Sequence, residues 1–209
     1  MSKRGMFISL EGIEGAGKST HMPALVDLLE SHKISCLATR EPGGTEFGER
    51  IREILLSKTQ APSSVEAELL LLFAARAEHV HTRIEPALES GSWVLTDRFL
   101  DASFAYQGAG QGIGVDRVGA LAQWLLPDLR PDLVLVLDTS ATTAQERVQK
   151  RGQKKDRYEE NDIEFFSRAR QYYLDQAATQ PGRYRVVDAE RPVDEVHEDL
   201  LEIVREMIP

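Results

Sequence analysis

The 209-residue chain holds a single cysteine, Cys36, so no disulfide can form within it, which suits a reducing compartment. No stretch approaches the ~18 consecutive apolar residues of a membrane-spanning helix, and the first residues lack the pattern of a secretory signal. The cytoplasm is the expected location, with no membrane partner. Basic residues are outnumbered, 25 Lys and Arg against 34 Asp and Glu, for a formal charge of −9. That balance argues against binding to a DNA or RNA polymer, where lysine and arginine supply the affinity. It leaves a free nucleotide open, because a local arginine cluster can hold one. Repeats, low-complexity tracts and long linkers are missing. The 5 histidines show no metal-ligand spacing with the cysteine; His79 and His81, two apart on a helix, point to different sides and read as solvated. The Asn-Lys-x-Asp segment of guanine-reading switch proteins is absent as well. What is there is 42% apolar and 28% charged, the composition of a globular protein, at a length that fits one α/β domain over residues 1–209.

Gly12, Gly17, Lys18 and Ser19 satisfy G-x-x-x-x-G-K-[ST], the phosphate-binding loop. The apolar run Met6 to Leu10 reads as a buried strand before it, and a helical stretch follows the lysine. Glycines let the backbone fold back so that successive N–H groups point at one phosphate, and the helix N-terminus adds partial positive charge there. The cradle Gly12, Ile13, Glu14, Gly15, Ala16, Gly17, Lys18, Ser19 and Thr20 is therefore expected to bind a nucleoside triphosphate. Lys18 would reach the β- and γ-phosphates, and the Ser19 hydroxyl would ligate Mg²⁺.

Helical and extended patterns alternate from end to end, the signature of a parallel sheet covered by helices. Strands are expected near 6–10, 34–39, 92–97, 132–138 and 183–188, and helices near 17–31, 45–58, 64–89, 115–126, 141–151, 162–179 and 193–206. Pro23 should kink the first helix or loosen its opening turns. The charged segment 151–161, RGQKKDRYEEN, falls between two helices, where a lid could close over a ligand.

In such sheets the functional loops lie at the carboxyl ends of strands. Arg40-Glu41-Pro42 follows the second expected strand, Asp97-Arg98 closes the third, and Asp138 closes the fourth; all should converge on the nucleotide. Asp97 has the chemistry to serve Mg²⁺ or its water shell, and Arg98 to hold a phosphate; the alternative for each acid–arginine pair is a salt bridge. Arg76 ends the apolar run Leu69 to Ala75, and is costly to bury without a partner. That partner is either a nucleotide or a nearby carboxylate such as Glu78 or Glu85, while Phe73 by itself reads as core. In Asp101 to Gly112, Tyr106 and Gln107 could stack on and hydrogen-bond a base, or the stretch is a helix ending in a loop. Arg147, Arg151 and Arg157 lie on or before the lid, where phosphoryl transfer needs cations.

Taken together, EGIEGAGKST, TREPGGTEFGERIREILL, LFAARAEHV, DRFLDASFAYQG, RPDLVLVLD and RGQKKDRYE, in that order, resemble the thymidylate kinases of bacterial type over essentially the whole chain. The resemblance implies a five-stranded parallel α/β sheet flanked by helices, with a mobile lid, usually in a homodimer. The implied reaction moves the γ-phosphoryl of ATP onto dTMP, with Mg²⁺, giving dTDP on the way to dTTP. By that likeness Arg40, Pro42, Arg52 and Arg98 hold the dTMP phosphate region, Arg76 and Gln107 bond the thymine edge with Ser103 beside them, and Tyr106 crowds the 2′ position. Glu14 would lie near the sugar and the metal waters. Family members often stack a phenylalanine on thymine four residues before the base-reading arginine; here Leu72 stands there and Phe73 follows it. The loop itself has no arginine, as in the subgroup whose lid supplies the catalytic one, which points to Arg157 or Arg151 beside Lys18 and Arg98. One rival enzyme reading, a deoxynucleoside kinase, would need a carboxylate base such as Glu11 or Glu41; a non-enzymatic ATP-gated adaptor would carry the same loop motif.

Overall fold

The computed structural model describes residues 4–62, 64–152 and 156–209. Five strands alternate with helices: β1 (Phe7–Glu11), β2 (Cys36–Arg40), β3 (Trp93–Asp97), β4 (Leu133–Asp138) and β5 (Tyr184–Asp188). They form one parallel sheet in the order β2-β3-β1-β4-β5. Each strand lies within two residues of its expected span. Side chains alternate across the sheet, and both faces are covered, as the near-continuous apolar strands require. Ile8, Leu10, Leu133 and Leu135 go to one face with Leu25, Leu29, Val196 and Leu200. Phe7 and Val94 go to the other with Leu69, Phe73, Phe99 and Val118.

The covering helices are α1 (Lys18–Ser31), α2 (Glu46–Leu56), α3 (Val65–His79), α4 (Glu85–Glu89), α5 (Leu100–Ser103), α6 (Val115–Leu125), α7 (Ala141–Lys150), α8 (Ile163–Thr179) and α9 (Val193–Arg205). Side chains cap several of them, Thr45 on α2, Ser64 on α3, Ser140 on α7 and Asp162 on α8, each accepting a first-turn backbone N–H. The expected helix over 64–89 is present but interrupted by a widened π turn, Val80–Ile84. Pro86 sits just beyond it and brings no N–H to the preceding turn, so the widening falls where the ladder is already broken. A second π turn, Phe104–Gly110, extends α5, so the stretch is helical almost to Gln111. In α1 the helix runs unbroken through Pro23.

Register decides what the sheet presents. Leu10 pairs across from Asp97 on one side, and Arg40 pairs with Asp97 on the other. The carboxyl ends of β1, β2 and β3 are thus level, and the residues that follow them open onto one place.

Candidate active site

The phosphate loop turns back directly from β1. A Cβ on Gly15 (φ 84°) would sit 2.4 Å from the Ala144 carbonyl oxygen, and one on Gly12 (φ 135°) 2.5 Å from that of Leu137. Only glycine meets both the left-handed backbone and the close approach. Ile13 and Ala16 are buried and set the loop's shape from below. Lys18 crosses the loop and donates from Nζ to the Gly12 and Ile13 carbonyls at 3.1 and 3.0 Å; burial, with Arg98 adding to it, lowers its pKa. Ser19 Oγ lies 3.1 Å from Asp97 Oδ2, which brings the two residues expected at a metal side by side.

Arg98 has φ 68°, a left-handed conformation that costs a side-chain-bearing residue about 1–2 kcal/mol. Its surroundings fix it there. The Arg98 N–H donates to Leu10 O at 2.9 Å, Thr96 Oγ1 donates to Arg98 O at 2.7 Å, and the next N–H, of Phe99, donates to the buried Glu11 at 2.8 Å. The turn aims the guanidinium back over the loop. It donates to Gly12 O at 3.0 Å, Glu14 at 3.0 Å and Tyr106 Oη at 2.8 Å, and lies 4.6 Å from the Tyr106 ring centroid. Burial by itself would raise the Glu14 carboxyl, but Arg98 and Lys18 outweigh it and hold it at about 2.

After β2 the chain supplies two more cations. Arg40 donates to Glu49 at 2.9 Å, and the other Glu49 oxygen takes the Gly44 N–H. Arg52, from α2, donates to Pro42 O at 3.0 Å. Burial, then the neighbouring charges of Arg40 and Arg98, lower the Arg52 pKa against the pull of Glu49. Cations crowded against one another in this way favour an anion between them.

These groups surround one cavity of about 600 Å³. Its floor is Glu14, Gly15, Gly17, Lys18, Ser19 and Thr20. Arg40, Pro42, Arg52, Asp97 and Arg98 form one wall, and Leu72, Arg76, Ser103, Tyr106 and Gln107 line the deep end. Arg147 and Arg151 reach it from the far side, with Asp156, Tyr158 and Glu159 of the lid segment. Positions 153–155 of that segment lie outside the described residues.

The model of the thymidylate kinase family matches residues 10–200, nearly all of the chain that builds this cavity. The chain belongs to the thymidylate kinase family. The thymidylate kinase of Methylobacillus flagellatus is 47% identical over 203 residues, 97% of this chain and 98% of its own. That of Bordetella pertussis is 48% identical, covering 100% and 98%. Among solved structures, the crystal structure of the Ehrlichia chaffeensis thymidylate kinase superposes with a TM-score of 0.78 at 31% identity, covering 97% of this chain and 99% of that one.

Within this member of the thymidylate kinase family, several side chains stand elsewhere than expected. Asp138 does not join the nucleotide cavity; Arg170 of α8 takes both its oxygens, at 2.6 and 2.8 Å, and so neutralises the end of β4. Phe73 packs in the core with Phe7 and Phe99, beneath the Arg76 guanidinium at 5.0 Å, while Leu72 faces the cavity. Arg157 Nη1 lies 2.5 Å from the buried Glu68 and does not line the cavity, whereas Arg151 does. Gly12, Ile13 and Ala16 are likewise behind its lining. Arg76 pairs with neither Glu78 nor Glu85. Its Nε donates to Glu41 at 2.7 Å, Nη1 to Ser103 at 3.0 Å and Nη2 to Phe99 O at 3.1 Å.

His79 is fully buried, contrary to its solvated reading. Its ring bridges Glu41 at 3.0 Å and Thr39 at 2.8 Å. His81 faces out, so the two rings do point to opposite sides, and the packing of α3 on the end of β2 decides which one is covered. No motif in the sequence singles out Glu68 or Glu49. The available signal for Glu68 was a carboxylate two helical turns before Arg76, at the head of an apolar run.

Proposed function

We infer that the chain transfers the γ-phosphoryl group of ATP to dTMP, giving ADP and dTDP, a step toward dTTP. The observation that carries this reading is the convergence of Arg40, Arg52 and Arg98 on one cavity whose floor is a phosphate loop. A single nucleotide does not call for both. The loop, Lys18 and Arg147 hold the donor. Arg40, Arg52, Arg98 and the Pro42 turn hold the acceptor phosphate, Glu14 and Tyr106 its sugar, and Leu72, Arg76, Ser103 and Gln107 its base, with Phe73 backing Arg76.

The acceptor phosphate is already anionic near neutral pH, so no proton must be abstracted from it. The obstacle is the repulsion between two polyanions, and Lys18 with the arginines offsets it by pre-placed charge. The carboxylates a hydroxyl acceptor would call on already have partners, although Glu41 lines the cavity. Glu41 bonds Arg76 and His79, and Glu11 bonds the Phe99 N–H and Tyr173. That favours a phosphate acceptor over the sugar hydroxyl of a deoxynucleoside.

Among the described residues no three His, Cys, Asp or Glu side chains cluster to hold a metal by themselves. Ser19 and Asp97 offer the hydroxyl and carboxylate oxygens that Mg²⁺ takes alongside substrate phosphates, so they fit that ion. When bound, Mg²⁺ would neutralise charge on the phosphate oxygens. Arg151, which lines the cavity while paired with Glu159, is the lid cation we place at the phosphates, and closure of the lid excludes water.

We also read the chain as one catalytic domain that works in the cytoplasm as a homodimer. Among the described residues no helix is long and apolar enough to cross a membrane. Leu70 of α3 and Trp124 of the adjoining α6 are exposed apolar side chains on packed neighbours, in keeping with a second copy. The deciding assay mixes protein, ATP, Mg²⁺ and dTMP and measures ADP and dTDP. ATP hydrolysis without dTDP, or faster turnover of AMP than of dTMP, would overturn the reading.

A further inference from the structure

Glu68 is fully buried in the first turn of α3 and has no part in the phosphoryl transfer itself. Its Oε1 accepts from Gln107 Nε2 at 2.8 Å and Gln111 Nε2 at 2.9 Å, and its Oε2 accepts from Arg157 Nη1 at 2.5 Å. With Arg157 supplying the opposite charge, this carboxylate acts as an acceptor only. The Gln107 amide therefore has one orientation: its nitrogen faces Glu68 and its carbonyl oxygen is turned away from it. Gln107 lines the cavity, and among the described residues no donor meets that oxygen.

Arg76 stands beside it. Its Nη1 is bonded to Ser103, one helical turn before Gln107. Three of the five guanidinium N–H groups are used, by Glu41, Ser103 and Phe99 O, and the other two are available to the cavity that Arg76 lines. A donor next to an acceptor complements a base edge with a carbonyl beside a ring N–H, as in thymine and uracil. Cytosine and adenine present the reverse, an amino group beside a bare ring nitrogen.

We propose that Glu68 is a specificity-determining positioning residue: by taking the Gln107 amide hydrogen it points the Gln107 carbonyl at the base, which admits pyrimidines bearing N3–H and rejects cytosine. This rests on the thymidylate reading and names the group that enforces it. Because Arg157 comes from the lid, the same carboxylate also joins lid position to base recognition.

The test compares kcat/KM for dTMP and dCMP in wild type and Glu68→Gln. An amide at position 68 can donate as well as accept, so the Gln107 amide is free to reverse. The dTMP to dCMP ratio should fall about tenfold or more, Glu68→Asp should retain more of it than Glu68→Gln, and adding Glu68→Gln to Gln107→Leu should leave the ratio where Gln107→Leu puts it. Equal losses on both substrates, with the ratio unchanged, would show a structural anchor only and overturn the proposal. If Glu68→Gln does not fold, binding to the wild-type protein serves: N3-methyl-dTMP should bind at least about tenfold more weakly than dTMP, and equal binding overturns the proposal. A wild type that makes no dTDP refutes the functional reading instead, and equilibrium binding of dUMP against dCMP then tests Glu68 separately.

Discussion

The Glu14 carboxylate lies 3.0 Å from the Arg98 guanidinium, joining the phosphate loop to the end of the neighbouring strand across 84 residues. Its pKa of about 2, against an ordinary 4.5, makes the pair a pH-dependent contributor to stability. Because the folded-state value is depressed, the contribution is complete above pH ~4.5 and is lost as the pH falls toward ~2. Glu14→Gln should therefore lower the unfolding midpoint most near neutrality and hardly at all near pH 2. Thermal melts across that range measure it, and a constant difference at every pH would contradict it.

Glu11 shows the opposite sign. Burial, and then the Asp101 carboxyl close by, push it up to about 8. The folded protein keeps a proton that the unfolded chain releases above pH ~4.5, so this group's stabilising effect is lost as the pH rises to ~8. Glu11→Gln should flatten that decline, as read from denaturant midpoints at several pH values.

The buried Arg76–Glu41 pair yields a stability prediction. Removing one partner leaves the other charge buried and uncompensated, at a cost of about 3–5 kcal/mol. Glu41→Ala should show a loss of that order in chemical denaturation, larger than His79→Ala, which leaves the ion pair intact.

The two lid arginines should separate kinetically. Arg151 faces the cavity, so Arg151→Ala should lower turnover by about 10³-fold or more with a much smaller change in ATP affinity. Both lid arginines are paired, Arg151 with Glu159 and Arg157 with Glu68, but Arg157 does not line the cavity, and Arg157→Ala should lower turnover less. Paired measurements of kcat and ATP binding decide this; a larger turnover loss for Arg157 would place it at the transferring group.

Discrimination by the thymine methyl should be modest. One methyl in an apolar contact is worth about 1–3 kcal/mol, so dUMP should be used with kcat/KM about 10–200-fold below dTMP. Steady-state rates on the two monophosphates measure it, and an inert dUMP would require a polar basis for the discrimination.

The sequence by itself determined the order of strands and helices, the phosphate loop and the strand ends that carry Arg40, Asp97 and Arg98. These follow from local causes: apolar period, turn chemistry and glycine at positions no other residue tolerates. The partners of the buried charges were settled only in three dimensions. Glu41 meets Arg76 across 35 residues, Asp138 meets Arg170 across 32 and Glu68 meets Arg157 across 89. A carboxylate reads the same in a sequence whether it faces water, a substrate or an arginine. Which of these it meets depends on how distant segments pack, and that packing turned Asp138 away from the cavity and buried His79 and Glu68 behind its wall.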